Sequence, residues 1–291
     1  MRHVPFILIM LVSVLCLYTT IYSAQAIAQE KNPEEKPDPV LITLEKPSFD
    51  DLKQVDETVK AMTIIDGKTF VGYDGNTYML ASLDIQLDEG DFSIQSKQFL
   101  EELIKDQTLI TFQTKDRKYG RENRMGHTII HAVRETDSTW IQASLLANGL
   151  ARVRTTEFNP QQASKMLEHE ENARTKKLGI WGQDSYKVLT SQNAQEFIGG
   201  FRIVEGQIKK VASTKNNIYL NFGDNWKTDF TIGISPKVRR DLSKNNISVM
   251  DWAGKKIRIH GWIRSYNGPY IELTHAEQIE FIKDEIADEE E

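Results

Sequence analysis

Ile64-Ile65-Asp66-Gly67-Lys68-Thr69-Phe70, continued by Tyr78-Met79-Leu80-Ala81-Ser82-Leu83-Asp84, carries the clearest structural pattern in the chain. Across residues 58–86 apolar and polar positions alternate, and Asp66-Gly67 and Asp74-Gly75 interrupt the alternation with turn chemistry. That pattern predicts a meander of β-hairpins. Working outward, residues 93–105 (SIQSKQFLEELIK) carry apolar side chains at helical spacing, and strands are expected at about 108–114 and 126–134. A helix from Thr139 to Asn148 is closed by Gly149, a further helix runs from behind Asn159-Pro160 to Lys177, and Leu178-Gly179-Ile180-Trp181-Gly182 ends the unit.

Beyond a polar stretch at 183–195 the pattern returns to strands: FRIVEGQIKKVA, NIYLNF, DFTIGI, KKIRIHGWIRS and PYIELTHAEQIEFI, with one helical segment near Val238–Lys244. Five short strands in this length suit a small closed barrel of OB type. The fold class expected is therefore β-rich α+β, an OB-type barrel with helices followed by a second, smaller OB-like barrel. No internal repeat in sequence links the halves.

The ends read differently. Met1-Arg2-His3, an apolar run from Val4 to about Tyr18 and the small residues Ser23–Ala28 have the order of a secretory signal, with cleavage after Ala26 or Ala28; an uncleaved anchor is the other reading. Cys16, the only cysteine, lies in that segment, so the remainder can form no disulfide. The expected organisation is a signal peptide at 1–28, a disordered spacer at 29–55, domains at 56–187 and 196–283, and an acidic tail at 284–291. A periplasmic or secreted location follows, with no membrane role beyond the leader or anchor. The net charge of −6 gives no global attraction to polyanions. Locally the balance differs: 17 basic against 20 acidic residues in 56–187, and 14 against 9 in 196–283.

Five segments in order resemble the staphylococcal nuclease (thermonuclease) domain. These are Ile65-Asp66-Gly67-Lys68-Thr69, Tyr78–Asp84, Asp116-Arg117-Lys118-Tyr119-Gly120-Arg121, Gly149-Leu150-Ala151-Arg152-Val153, and Ala173-Arg174 with Gly179-Ile180-Trp181. The second half resembles the barrel attached to some bacterial thermonuclease-like proteins, through Tyr219–Trp226 and Gly261-Trp262 with Asn267-Gly268-Pro269. The resemblance implies calcium-assisted phosphodiester hydrolysis, in which carboxylates hold the metal, a glutamate helps water attack and two arginines hold the phosphorus centre.

Position by position, that implied site is degraded. A metal aspartate falls on Lys68, the first arginine on Met79 and the glutamate on Leu87, while Asp84 and Arg121 remain as vestigial catalytic residues. An ammonium about 5.5 Å from a divalent ion costs roughly 6 kcal/mol at an effective dielectric of about 20, so Lys68 and calcium do not share a site. Lys68 is expected to replace the metal charge and pair with Asp84. Active calcium-dependent cleavage of DNA or RNA is the alternative, and needs a loop slip that brings Asp88 or Glu89 into the glutamate's place. Arg121 has a second reading as a turn-capping residue, and His127 and His131, four apart on one strand face, lack neighbouring ligands for a metal.

In the second barrel, Trp226 and Tyr270 beside Lys227, Arg258 and Arg264 are candidates for binding single-stranded nucleic acid, because bases stack on rings and phosphates need neutralising. The competing reading is that Tyr219, Phe222, Trp226, Trp262, Tyr266 and Tyr270 fill the barrel and an interface. The sequence thus points to an exported, catalytically degenerate nuclease-like binding or scaffold module, with no cofactor or metal (calcium being the alternative) and with nucleic acid or an envelope protein as partner.

Overall fold

The computed structural model describes residues 38–46, 48–85, 90–225 and 227–282. The expected signal segment at 1–28 with Cys16, residues Leu87–Glu89, Trp226 and the expected acidic tail at 284–291 lie outside the described residues. By contact the chain divides into Met1–Pro39 and Val40–Glu291. Every element below belongs to the second unit. Among the described residues, no helix is long and apolar enough to cross a membrane.

The first barrel contains β1 Leu52–Gln54, β2 Val59–Asp66, β3 Thr69–Gly72, β4 Thr77–Leu80, β5 Leu83–Asp84, α1 Asp91–Ile104, β6 Thr108–Thr114, β7 Thr128–Arg134, α2 Ile141–Ala147, β8 Arg152–Val153 and α3 Ala163–Thr175. Its sheet runs β1-β6-β2-β3-β4-β7 and closes through a β6–β7 pairing, with β4 and β7 parallel. The predicted hairpins form as read: β2 turns at Asp66-Gly67 into β3, where the Asp66 side chain accepts from the Lys68 amide at 2.8 Å. Phe70, Leu80, Phe112, Ile130 and Leu145 fill the interior. Gly149 and Gly179 are both left-handed and meet face to face; a Cβ on Gly149 would lie 2.2 Å from the Leu178 carbonyl oxygen, so α2 and the segment behind α3 lock only through glycines.

The second barrel contains β9 Leu189–Thr190, β10 Phe201–Gln207, β11 Lys210–Ser213, β12 Ile218–Asn221, β13 Thr231–Ile234, α4 Pro236–Lys244, β14 Lys256–Trp262, β15 Arg264–Ser265, β16 Pro269–Leu273 and β17 Ile279–Phe281. Two sheets, β17-β14-β10-β9 and β11-β12-β13-β16-β15, share strands that bend at Ile208–Lys209 and at Ile263. The circuit repeats that of the first barrel: β10 pairs with β14 as β2 does with β6, β13 runs parallel to β16 as β4 does to β7, and a helix precedes the fourth main strand in each, α4 before β14 and α1 before β6. The first half is thus an OB-type unit in a β-rich α+β chain, and the second half has a corresponding strand order. Ile232, Ile234, Ile257, Ile259 and Leu273 make the second core, joined by Leu189 and Ala194 from the stretch read as polar connector.

The spacer expected at 29–55 does not extend through its described part. Val40 exchanges hydrogen bonds with the Asn148 side chain (3.0 and 2.8 Å), the Ile42 carbonyl accepts from the Trp140 amide (2.7 Å), Phe49 is buried against Phe112 and Trp140, and β1 pairs with β6. The disorder-prone composition stops at Pro39; the apolar residues behind it find a groove beside α2. The two barrels also adhere to each other. Ala173, Ile180, Trp181 and Ile203 form a shared apolar cluster, and His260 hydrogen-bonds to the Val153 carbonyl (3.2 Å) and to Glu280 (2.7 Å). Burial disfavours the His260 imidazolium, but the Glu280 hydrogen bond and the charge of Glu170 outweigh it and raise its pKa.

Candidate functional site

β5 and β8 pair antiparallel with Asp84 directly opposite Arg152, and the next outward-facing residue of the β8 segment, Arg154, is held by its amide to the Ser82 carbonyl at 2.9 Å. Alternation along Arg152-Val153-Arg154 puts both guanidiniums on the side of Asp84. Arg152 donates to Asp84 Oδ2 through Nε (3.1 Å) and Nη2, and Arg154 Nη1 to Oδ1 at 3.3 Å. Both oxygens of the carboxylate are thus engaged by arginine. Lys68 comes from the hairpin turn and donates to the Leu83 carbonyl at 3.4 Å. Burial lowers its pKa first, Asp84 and Asp66 pull it back up, and Arg154 lowers it further.

The pairing of Lys68 with Asp84 expected from sequence is therefore replaced: Asp84 is an ion-pair partner of Arg152 and Arg154, with Lys68 contributing charge nearby. Calcium takes six to eight oxygen ligands. Here three cations surround Asp84, Asp66 spends an oxygen on its own turn, and among the described residues no group of three or more His, Cys, Asp or Glu is placed to hold a metal ion. These residues do not fit calcium. Met79 lies in β4 opposite Thr69, its sulfur accepting from Asn123 Nδ2 at 3.8 Å, and supplies no charge. Leu87, Asp88 and Glu89 are outside the described residues.

Arg121 holds the loop behind β6. Its Nε and Nη2 donate to the Thr114 carbonyl at 3.2 and 3.1 Å, and Nη2 reaches the Lys115 carbonyl at 3.5 Å. That is the turn-capping geometry. His131 is buried among Phe49 and Trp140, neither ring nitrogen has a hydrogen-bond partner among the described residues, and burial lowers its pKa to about 4. A neutral core histidine results, not a metal ligand.

In the second barrel the nucleic-acid candidates separate. Arg258 is spent on ion pairs with Glu205 (2.7 Å) and with Glu171 of α3 (2.6 Å), so it ties the barrels together instead of facing a ligand. Arg264 is exposed and reaches Glu272 at 3.6 Å. Lys227 is exposed, its amide donating to Asn225 Oδ1 at 3.2 Å, and Trp226 is outside the described residues. Tyr270 is half-buried over Gly233, where a Cβ would lie 1.8 Å from its hydroxyl, and burial raises its pKa to about 12. Beside it Tyr266 is exposed, with ring centroids 5.3 Å apart. Tyr219, Tyr266, Lys210, Asn221 and Thr231 line a concavity of about 420 Å³ on the β11-β12-β13 face. Phe222 is core, Tyr219 half-buried and Trp262 exposed, so the two readings of the aromatics divide between residues.

Sequence reasoning missed Arg152, Arg154 and Arg202. The alternation in Gly149-Leu150-Ala151-Arg152-Val153-Arg154 was the available signal, because it placed two arginines on one strand face.

A β-barrel of this order, with Asp84 of β5 set against Arg152 of β8, is an OB-type domain. Residues 77–183 match the family model of the staphylococcal nuclease homologues, and this part of the chain is a staphylococcal-nuclease-like domain. The match takes in Met79, Asp84, Arg121, Arg152 and Arg154; Lys68 and the second barrel lie outside it. No curated protein matches the chain. The family supports a nuclease-related or nucleic-acid-binding role.

Proposed function

We propose that the protein is an exported, non-hydrolysing nuclease-like module that binds single-stranded nucleic acid. One observation supports the loss of hydrolysis: both oxygens of Asp84 accept from arginine, Arg152 on Oδ2 and Arg154 on Oδ1, so a metal would have to displace these cations or share the carboxylate with them. Without the metal charge, without the first arginine at Met79 and with Arg121 engaged by carbonyls, the phosphorus centre has little to stabilise it; each such loss typically costs about 10²–10³ in rate. Binding is assigned to the concave face of the second barrel. Tyr219 and Tyr266 offer rings, Lys210 offers charge, and the surrounding domain is the basic half of the chain. Export is supported by the leader-like order of Met1–Ala28.

The test is fluorescence anisotropy of a labelled single-stranded oligonucleotide, with calcium and with chelator, and gels to check that the strand stays whole. The reading expects binding that is indifferent to calcium, weakens with salt and falls at least tenfold in a Tyr219→Ala/Tyr266→Ala variant, since each stacked base contributes about 1–3 kcal/mol. Absence of binding would leave an envelope protein as the partner; calcium-dependent cleavage would overturn the reading.

A further inference from the structure

A second cavity, of about 580 Å³, opens where the two barrels meet. Gln95 and the first residues of α1 form one wall, Gln183, Ser185 and Tyr186 another, and Arg152 and Arg202 the floor. The two arginines come from different domains and converge on one atom: Arg152 Nη1 and Arg202 Nη1 both donate to the Phe201 carbonyl, at 3.4 and 2.9 Å. Arg152 is neutralised by Asp84. Arg202 has no ion-pair partner among the described residues, and its Nε is buried without an acceptor. Its head is fixed from both sides, over the Phe197 ring (5.5 Å) and against Gly200, where a Cβ would lie 3.2 Å from Nη1.

Two guanidiniums held this close repel, and a buried donor without an acceptor costs free energy. Burial, and then the charge of Arg152, lower the pKa of Arg202, against the pull of Tyr186 and Asp84. Lys68 and Arg154 add positive charge behind Asp84, so the ensemble around this one carboxylate is cationic. Among the described lining residues Asp91 is the opposing charge, and it is exposed. An arrangement of this kind is relieved by an oxyanion, which accepts from a guanidinium edge and offsets both charges.

We infer that the Arg152–Arg202 cavity binds a phosphate-class oxyanion, either free phosphate or the terminal phosphate of a phosphomonoester. It is distinct from the concave face of the second barrel and does not depend on that face binding nucleic acid. Gln95, Gln183 and Ser185 supply neutral polar partners, and the cavity has room for a sugar or base behind the phosphate.

The experiment is a thermal-shift and calorimetric titration of the leaderless chain with inorganic phosphate and, separately, with a nucleoside 5′-monophosphate, with chloride as the ionic-strength control. Phosphate at about ten times its Kd should raise the wild-type Tm by roughly 2 °C or more. Arg202→Met should abolish that rise while leaving the anion-free Tm unchanged or higher, since it removes one of two repelling charges. Arg202→Lys, which keeps the charge and loses the fork, should bind at least tenfold more weakly. A nucleotide that binds at least tenfold more tightly than phosphate identifies a phosphomonoester as the source, and equal affinities identify the free anion. Equal phosphate shifts in wild type and Arg202→Met, or no shift beyond chloride, would overturn the assignment.

Discussion

Asp84→Asn separates the two roles that this carboxylate can have. Its side chain is 17% exposed and its principal partner, Arg152, 7% exposed, so the pair is largely desolvated. Arg154, at 39%, is the outer member. Neutralising Asp84 leaves the Arg152 guanidinium buried against Phe201 and Tyr186, with Arg154, Lys68 and Arg202 close by and the one central carboxylate removed. Breaking a buried pair by deleting one partner typically costs about 3–5 kcal/mol, which shifts a urea midpoint down by about 1–2.5 M for an m-value of about 2–3 kcal/mol per M. Removing only the exposed partner, in Arg154→Ala, should cost less than about 1 kcal/mol. The assay is urea unfolding followed by tryptophan fluorescence. A carboxylate retained for a metal behaves oppositely: without metal its removal relieves strain and leaves stability equal or higher. An Asp84→Asn variant as stable as wild type in chelator would refute the counter-ion account.

Acid should act through His131. Its folded pKa is about 4 against about 6.5 unfolded, so the unfolded chain takes up the proton first and the stability present above about pH 6.5 is lost as pH falls towards 4. The loss amounts to on the order of 3 kcal/mol, and denaturation series from pH 7 to 4 should show a shallower decline in His131→Leu. His260 has the reverse sign: its raised pKa gives a contribution that is whole below about 6.5 and is lost as pH rises through the folded value, so His260→Gln should cost more at pH 6 than at pH 9. Arg121→Ala removes hydrogen bonds to two carbonyls and should destabilise by about 1–3 kcal/mol while oligonucleotide affinity stays within twofold in anisotropy.

Local chemistry was legible in the sequence where it was local in space. The Asp66-Gly67 and Asp74-Gly75 turns, α1, α3 and the glycine closure behind α2 all depend on neighbours within a few residues, and they form where the pattern placed them. The function of Asp84 does not. Its partner Arg152 lies 68 residues away and is brought opposite only by the β5–β8 register, so the residues at 68, 79 and 87 alone gave no sign of the arginines that Asp84 meets. Arg258 looked like a phosphate ligand because it sits among aromatics in sequence; Glu171, 87 residues distant on α3, claims it through the barrel interface. Docking of residues 40–55 was hidden for a related reason. Their apolar residues stand directly behind a Pro/Glu/Lys-rich stretch, and Val40 and Ile42 are held through their own backbone groups, which leaves no signature in side-chain pattern. The shared circuit of the two barrels was equally silent, since alternating apolar residues of many identities fill such cores.

The proposed replacement of a metal by guanidinium and ammonium groups around Asp84, with loss of phosphodiester hydrolysis, is tested by titrating calcium calorimetrically into the chain lacking residues 1–28 and incubating single-stranded DNA and RNA in the same samples. No saturable heat up to millimolar calcium and intact strands are expected, in wild type and in Lys68→Asp alike, because Arg152 and Arg154 still hold Asp84. Stoichiometric calcium binding accompanied by cleavage that chelator abolishes would contradict it.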